Sequence, residues 1–165
     1  MFEEREIRFR LNGAEHRARV PVWLHLVDFL RSEHELASPR VGCEHGVCGT
    51  CTLRVDGELV RGCLFLAVQA DGRSIETLEG LNASGEIRDL QDAFVARNAL
   101  QCGFCTPGML ITCAELLRDP QPLTRAEIRD HLSGNLCRCT GYEAIVDAVE
   151  TVLKARLTTG PRRVA

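Results

Sequence analysis

The chain has 165 residues, 45% of them apolar and 26% charged, with 20 basic against 23 acidic side chains and a net charge of −3. That length and balance give one globular domain or two small ones and exclude a disordered chain. A nucleic-acid grip driven by net charge is excluded too, and no apolar run approaches the ~18 residues of a membrane span. The basic residues are all Arg except Lys154 and are scattered rather than clustered.

Residues 1–80 read as a small mixed domain of strands and one helix. Ile7, Phe9 and Leu11 alternate with Glu6, Arg8 and Arg10, the period of a half-buried strand. Asn12-Gly13 is a two-residue hairpin turn, after which Ala14–Val20 pairs back. Trp23, Leu26, Val27 and Leu30 share one helix face. Pro39–Cys51 has no period and is rich in Gly and Cys. Thr52–Val55, Asp56-Gly57 and Glu58–Arg61 form a second hairpin, and Arg73–Leu78 a last strand.

Residues 81–160 carry helical signals only. Asn82-Ala83-Ser84-Gly85 reads as a linker. Ile87, Leu90 and Phe94 mark one helix, and Leu110, Cys113, Ala114 and Leu117 a second. Thr124–His131 is a third, opened by the capping box Thr124-x-x-Glu127. Tyr142, Ile145, Val146, Val149 and Leu153 mark a fourth, and the tail from Thr158 is patternless. Four short helices joined by Pro- and Gly-containing turns suggest a bundle.

Nine cysteines are many for a chain whose first residues, MFEEREIRFRLNG, lack the apolar core of a secretory leader. A cytoplasmic location is expected, where thiols stay reduced, and an odd count fits a closed disulfide set poorly. Eight fall into two groups of four. Cys43-x4-Cys48-x2-Cys51, with Cys63 eleven residues on, has plant-type [2Fe–2S] spacing. Structural zinc prefers two close C-x2–4-C pairs, which this is not. His45 lies inside the loop, but four thiolates already complete the set.

The second group is Cys102-x2-Cys105 and Cys137-x-Cys139, separated by 31 residues. Each pair runs into a helix start: Thr106 reads as an N-cap with Pro107 at N1, and Thr140-Gly141-Tyr142-Glu143 has capping-box form. Two helix N-termini aimed at four thiolates suit an anionic iron–sulfur cluster. They would serve a four-thiolate zinc centre nearly as well, so spacing alone leaves that alternative open. Cys113 lies on an apolar helix face and reads as core.

The strings VGCEHGVCGTC, LQCGFCTPGM and GNLCRCTGY resemble the small iron–sulfur subunit of the xanthine oxidase family of molybdenum hydroxylases over about residues 5–155. The resemblance implies an α+β fold, an N-terminal ferredoxin-like β-grasp domain followed by an all-α four-helix domain. It implies one [2Fe–2S] cluster on Cys43, Cys48, Cys51 and Cys63 and another on Cys102, Cys105, Cys137 and Cys139. It implies that Gln101 touches the pterin of a molybdenum cofactor held by a large subunit, with FAD on a medium one, often in a dimer of heterotrimers. Electrons would pass from molybdenum to the helical-domain cluster, to the ferredoxin-like one, and on to FAD. One departure is visible: Glu44-His45-Gly46-Val47 stands where many relatives read Gly-Glu-Gly-Gln.

The chain contains no GxGxxG and no P-loop, so flavin or nucleotide must bind elsewhere. Two other functions compete with an electron-transfer subunit that has no substrate site of its own. A freestanding ferredoxin-like carrier would purify alone, and a zinc interaction module would be colourless and unfold on chelation.

Overall fold

The computed structural model describes residues 3–159. Two hairpins open it, each closed by the predicted two-residue turn. β1 (Glu4–Leu11) pairs with β2 (Ala14–Pro21) around Asn12 and Gly13, and β3 (Thr52–Val55) with β4 (Glu58–Arg61) around Asp56 and Gly57. All four turn residues have positive φ, between 49° and 87°, the signature of a type I′ turn matched to strand twist. β5 (Ser74–Glu76) lies between the hairpins, parallel to β1 and antiparallel to β3, giving the mixed order β2-β1-β5-β3-β4.

α1 (Leu26–Glu33) buries Leu26, Phe29 and Leu30 with Ile7, Phe9, Leu11, Leu53, Val55 and Ile75 of the sheet. Trp23, expected on that helix face, is instead outside the helix and 54% exposed. The helix starts only after His25, which makes an isolated bridge to Leu66 and so holds residues 23–25 extended.

Five helices follow: α2 (Leu78–Ser84), α3 (Arg88–Ala96), α4 (Thr106–Arg118), α5 (Arg125–Leu132) and α6 (Glu143–Thr159). The four expected helices are α3 to α6, and α2 is additional. Asn82–Ser84, expected as linker, form its last turn, and Gly85 closes it in the left-handed conformation at φ 74°. Thr158 and Thr159, expected in the tail, end α6; the rest of that tail lies outside the described residues. The Thr124–Glu127 capping box forms in both directions, at 3.3 and 2.7 Å. The expected box on Thr140 does not, because α6 starts only at Glu143, whose carboxylate pairs with Arg125 and Arg129.

Burial separates into two large cores and a small third cluster of Val27, Cys51 and Cys63. The sheet core ends at Ile75 and the helical core begins at Leu78, running to Leu153. Cys113 is in the helical core, fully buried as expected, and burial pushes its thiol pKa up. β3 joins the two halves. Leu53 and Val55 face the sheet core, while Arg54, only 3% exposed at its side chain, meets Glu76, Glu86 and, on α4, Glu115 at 3.0–3.5 Å. Among the described residues no helix is long and apolar enough to cross a membrane.

Candidate iron–sulfur centres

The loop between α1 and β3 carries Cys43, Cys48 and Cys51, and Cys63 follows β4. Positive φ at Glu44 (61°), Gly46 (80°) and Gly49 (73°) curls this loop back on itself. The curl points backbone N–H groups inward. Those of Cys48, 3.4 Å from the sulfur, and of His45 hold the Cys43 thiol down at about 6. His45 turns its ring to the Cys43 carbonyl and is not directed at the sulfurs. At Glu44 the left-handed φ costs a side-chain-bearing residue about 1–2 kcal/mol.

Cys51 and Cys63 are buried, and burial beside Cys63 pushes the Cys51 thiol up to about 11. Cys43 and Cys48 are only half-buried. The first group therefore has an inner pair and an outer pair.

The second group repeats that division. Cys105 is the N-cap of α4, a role expected of Thr106, so the thiol itself stands at the helix N-terminus. Half-buried Cys105 and buried Cys137 form the inner pair, and partial burial next to Cys137 pushes the Cys105 thiol up to about 12. At Cys137 the Thr140 hydroxyl, 3.1 Å from its sulfur, and nearby N–H groups outweigh burial and keep its thiol below the ordinary value. Cys102 and Cys139 are exposed, with sulfurs 3.5 Å apart. The Phe104 N–H, directed at Cys102, lowers the Cys102 thiol. Gln101 is exposed beside this outer pair.

The donor chemistry fits iron–sulfur clusters. All eight donors are cysteine sulfurs, backbone N–H groups already face several of them, and they meet two by two. A binuclear cluster takes two thiolates on each iron, whereas tetrahedral zinc needs four on one point. Among the described residues no three Cys, His, Asp or Glu side chains converge as ligands of a single ion would.

The two groups are fastened together by residues that spacing alone did not single out. Asn135, 2% exposed, donates to the Gly49 carbonyl at 3.1 Å and accepts from the Thr112 hydroxyl of α4 at 3.1 Å. Arg61 of β4 donates to the Gly134 carbonyl at 2.7 Å. Gly108 lets α4 reach the first loop, because a Cβ there would lie 2.3 Å from the Gly49 carbonyl oxygen. The Leu136 N–H, one residue before Cys137, donates to the Cys48 carbonyl at 2.8 Å.

Two family models match. One, described as a 2Fe-2S iron-sulfur cluster binding domain, covers residues 15–95, and the other, a [2Fe-2S] binding domain, covers residues 77–150. The chain is 51% identical over 145 residues, 87% of each protein, to the nicotine 6-hydroxylase small subunit of Paenarthrobacter nicotinovorans. It is 48% identical over 149 residues to the caffeine dehydrogenase subunit gamma of Pseudomonas sp. strain CBB1, covering 88% of this chain and 89% of that one. Among solved structures, a chain of quinoline 2-oxidoreductase from Pseudomonas putida 86 matches with a TM-score of 0.87 and 46% identity, over 96% of this chain and 99% of that one. The aldehyde oxidoreductase of Desulfovibrio desulfuricans matches at a TM-score of 0.84 and 39% identity; there 96% of this chain corresponds to 18% of a much longer one.

Proposed function

The chain belongs to the small iron–sulfur subunits of the xanthine oxidase family of molybdenum hydroxylases, and we propose how its residues divide the electron-transfer task. Residues 1–80 form a ferredoxin-like β-grasp domain that holds one cluster on Cys43, Cys48, Cys51 and Cys63. Residues 81–160 form a helical domain that holds the other on Cys102, Cys105, Cys137 and Cys139. The changeover of buried core between Ile75 and Leu78 supports that division, with α2 at the seam. The Cys48 N–H on the Cys43 sulfur and the side-chain contacts of the other three pairs support assigning Cys43 with Cys48, Cys51 with Cys63, Cys102 with Cys139 and Cys105 with Cys137 to the four irons.

When bound, the two clusters supply a one-electron relay between a molybdenum–pterin site on a large subunit and FAD on a medium one. The protein's part is to hold the thiolates, exclude water from each inner pair and present each outer pair to a partner. The exposed Cys102–Cys139 pair, with Gln101 beside it and half-exposed Phe104 and Leu136 nearby, suits the large subunit and its pterin. The Cys43–Cys48 pair lies beside exposed Val47 and Leu64, an apolar surface that suits the flavin subunit.

One observation carries this reading: two four-thiol groups, each half-buried and half-open, sit on loops joined directly by the Leu136–Cys48 hydrogen bond. Co-expression with large and medium subunits tests it. A coloured complex of all three, assembled as a dimer of heterotrimers, is expected. A small subunit that loads its clusters but purifies alone in the presence of both would overturn the assignment of partners.

A further inference from the structure

Arg40 lies three residues before Cys43, yet its side chain serves the other group. Its Nη1 donates to the Gly103 carbonyl at 2.6 Å and to the Phe104 carbonyl at 3.4 Å, and its guanidinium carbon stands 5.6 Å from the centre of the Phe104 ring. The bonded Gly103 carbonyl is one end of the Gly103–Phe104 peptide. The other end of that peptide is the Phe104 N–H, in the short turn between Cys102 and Cys105. Gly103, at φ 76°, has the left-handed backbone that this orientation requires.

The side chain is held in place before any cluster binds. Its Nε donates to the Ala37 carbonyl at 3.3 Å. The Ala37 and Ser38 N–H groups are in turn fixed on the Glu79 carboxylate at 3.1 and 2.8 Å, and Arg31 holds the Pro39 carbonyl at 2.9 Å. A charged donor on a peptide carbonyl polarises the peptide and strengthens the bond its N–H makes. Hydrogen bonds to cluster sulfurs favour the reduced, more negative state.

We propose that Arg40 is a positioning residue for the C-terminal cluster: it fixes and polarises the Gly103–Phe104 peptide between the Cys102 and Cys105 ligands and so raises that cluster's reduction potential. The proposal rests on Cys102 being a ligand. The N-terminal cluster is an internal reference, since its nearest donors to Cys43 come from Cys48 and His45.

The test is an EPR-monitored redox titration of the assembled complex with Arg40→Met, Arg40→Gln and Arg40→Lys. The C-terminal cluster's midpoint is expected to fall most with Met, less with Gln, which keeps a donor, and least with Lys, which keeps donor and charge. The N-terminal midpoint should move less in every variant. An unchanged C-terminal midpoint, or equal shifts of both clusters as a simple field effect would give, overturns the proposal. Should Arg40→Met fail to load, Gln and Lys decide by the same criteria. A wild-type complex lacking the second cluster would instead overturn the ligand assignment itself.

Discussion

The Leu136 N–H donates to the carbonyl oxygen of Cys48 at 2.8 Å. A single hydrogen bond thus closes a bonded path from a sulfur of one group to the Cys137 sulfur of the other. Leu136→Pro removes the donor and leaves the carbonyl without its partner, a cost of about 1–3 kcal/mol. Both clusters should remain. Thermal unfolding should come earlier, and rapid-mixing spectroscopy should show slower equilibration between the two clusters. Unchanged equilibration would mean the electron crosses elsewhere.

Glycine at 108 is required by contact rather than by backbone angle. A Cβ would meet the Gly49 carbonyl oxygen at 2.3 Å and the Thr50 carbonyl oxygen at 2.9 Å, and neither backbone atom is free to swing away. Gly108→Ala should therefore push α4 off the first loop, cost at least about 1–3 kcal/mol and disturb both EPR signals. Gly85→Ala is the control. Nothing lies within 4 Å of its Cβ, so only the φ of 74° is penalised, by about 1–2 kcal/mol, and both signals should stay intact.

Arg54 is buried against three carboxylates, Glu76, Glu86 and Glu115. Arg54→Met keeps the bulk and removes the charge, leaving those carboxylates facing one another. Denaturant unfolding should show a loss of about 3–5 kcal/mol, the usual consequence of breaking one side of a buried ion pair. Arg54→Lys, which keeps the charge beside the same carboxylates, should recover part of that loss. No recovery over Arg54→Met would point to packing instead.

Glu79 gives a pH dependence with a defined sign. Burial raises its pKa, but the Ser38 and Thr77 hydroxyls and the Ser38 N–H outweigh that and hold it below the ordinary glutamate value of 4.5. A carboxylate with a lowered folded-state pKa contributes stability that is complete above its unfolded value and lost as pH falls through the folded one. Glu79→Gln should therefore destabilise the protein near neutrality and flatten its acid-unfolding limb below about pH 4.5. Parallel wild-type and variant limbs would contradict this.

The hairpins were legible because period-two alternation and the Asn12-Gly13 and Asp56-Gly57 turns point to the same structure. α2 was not. It buries only Leu78 and Leu81, and its Asn82, Ser84 and Gly85 carry the composition of a linker. Trp23 fits a helical spacing but falls before the point where the backbone turns helical. The cysteine sets were legible in number and spacing, whereas the inner and outer pairs depend on loops that meet only in three dimensions. Asn135, Thr112 and Arg61 carry no pattern of their own; the one available signal was Gly134-Asn135 just ahead of Cys137.

Two distinct clusters on two separate thiol sets are the central claim. Iron analysis with EPR on the dithionite-reduced complex, wild type beside Cys48→Ser and Cys102→Ser, tests it most directly. About four irons per small subunit and two distinguishable [2Fe–2S] signals are expected in the wild type, with each variant losing a different one. Zinc in place of iron, or loss of both signals from either single substitution, would contradict it.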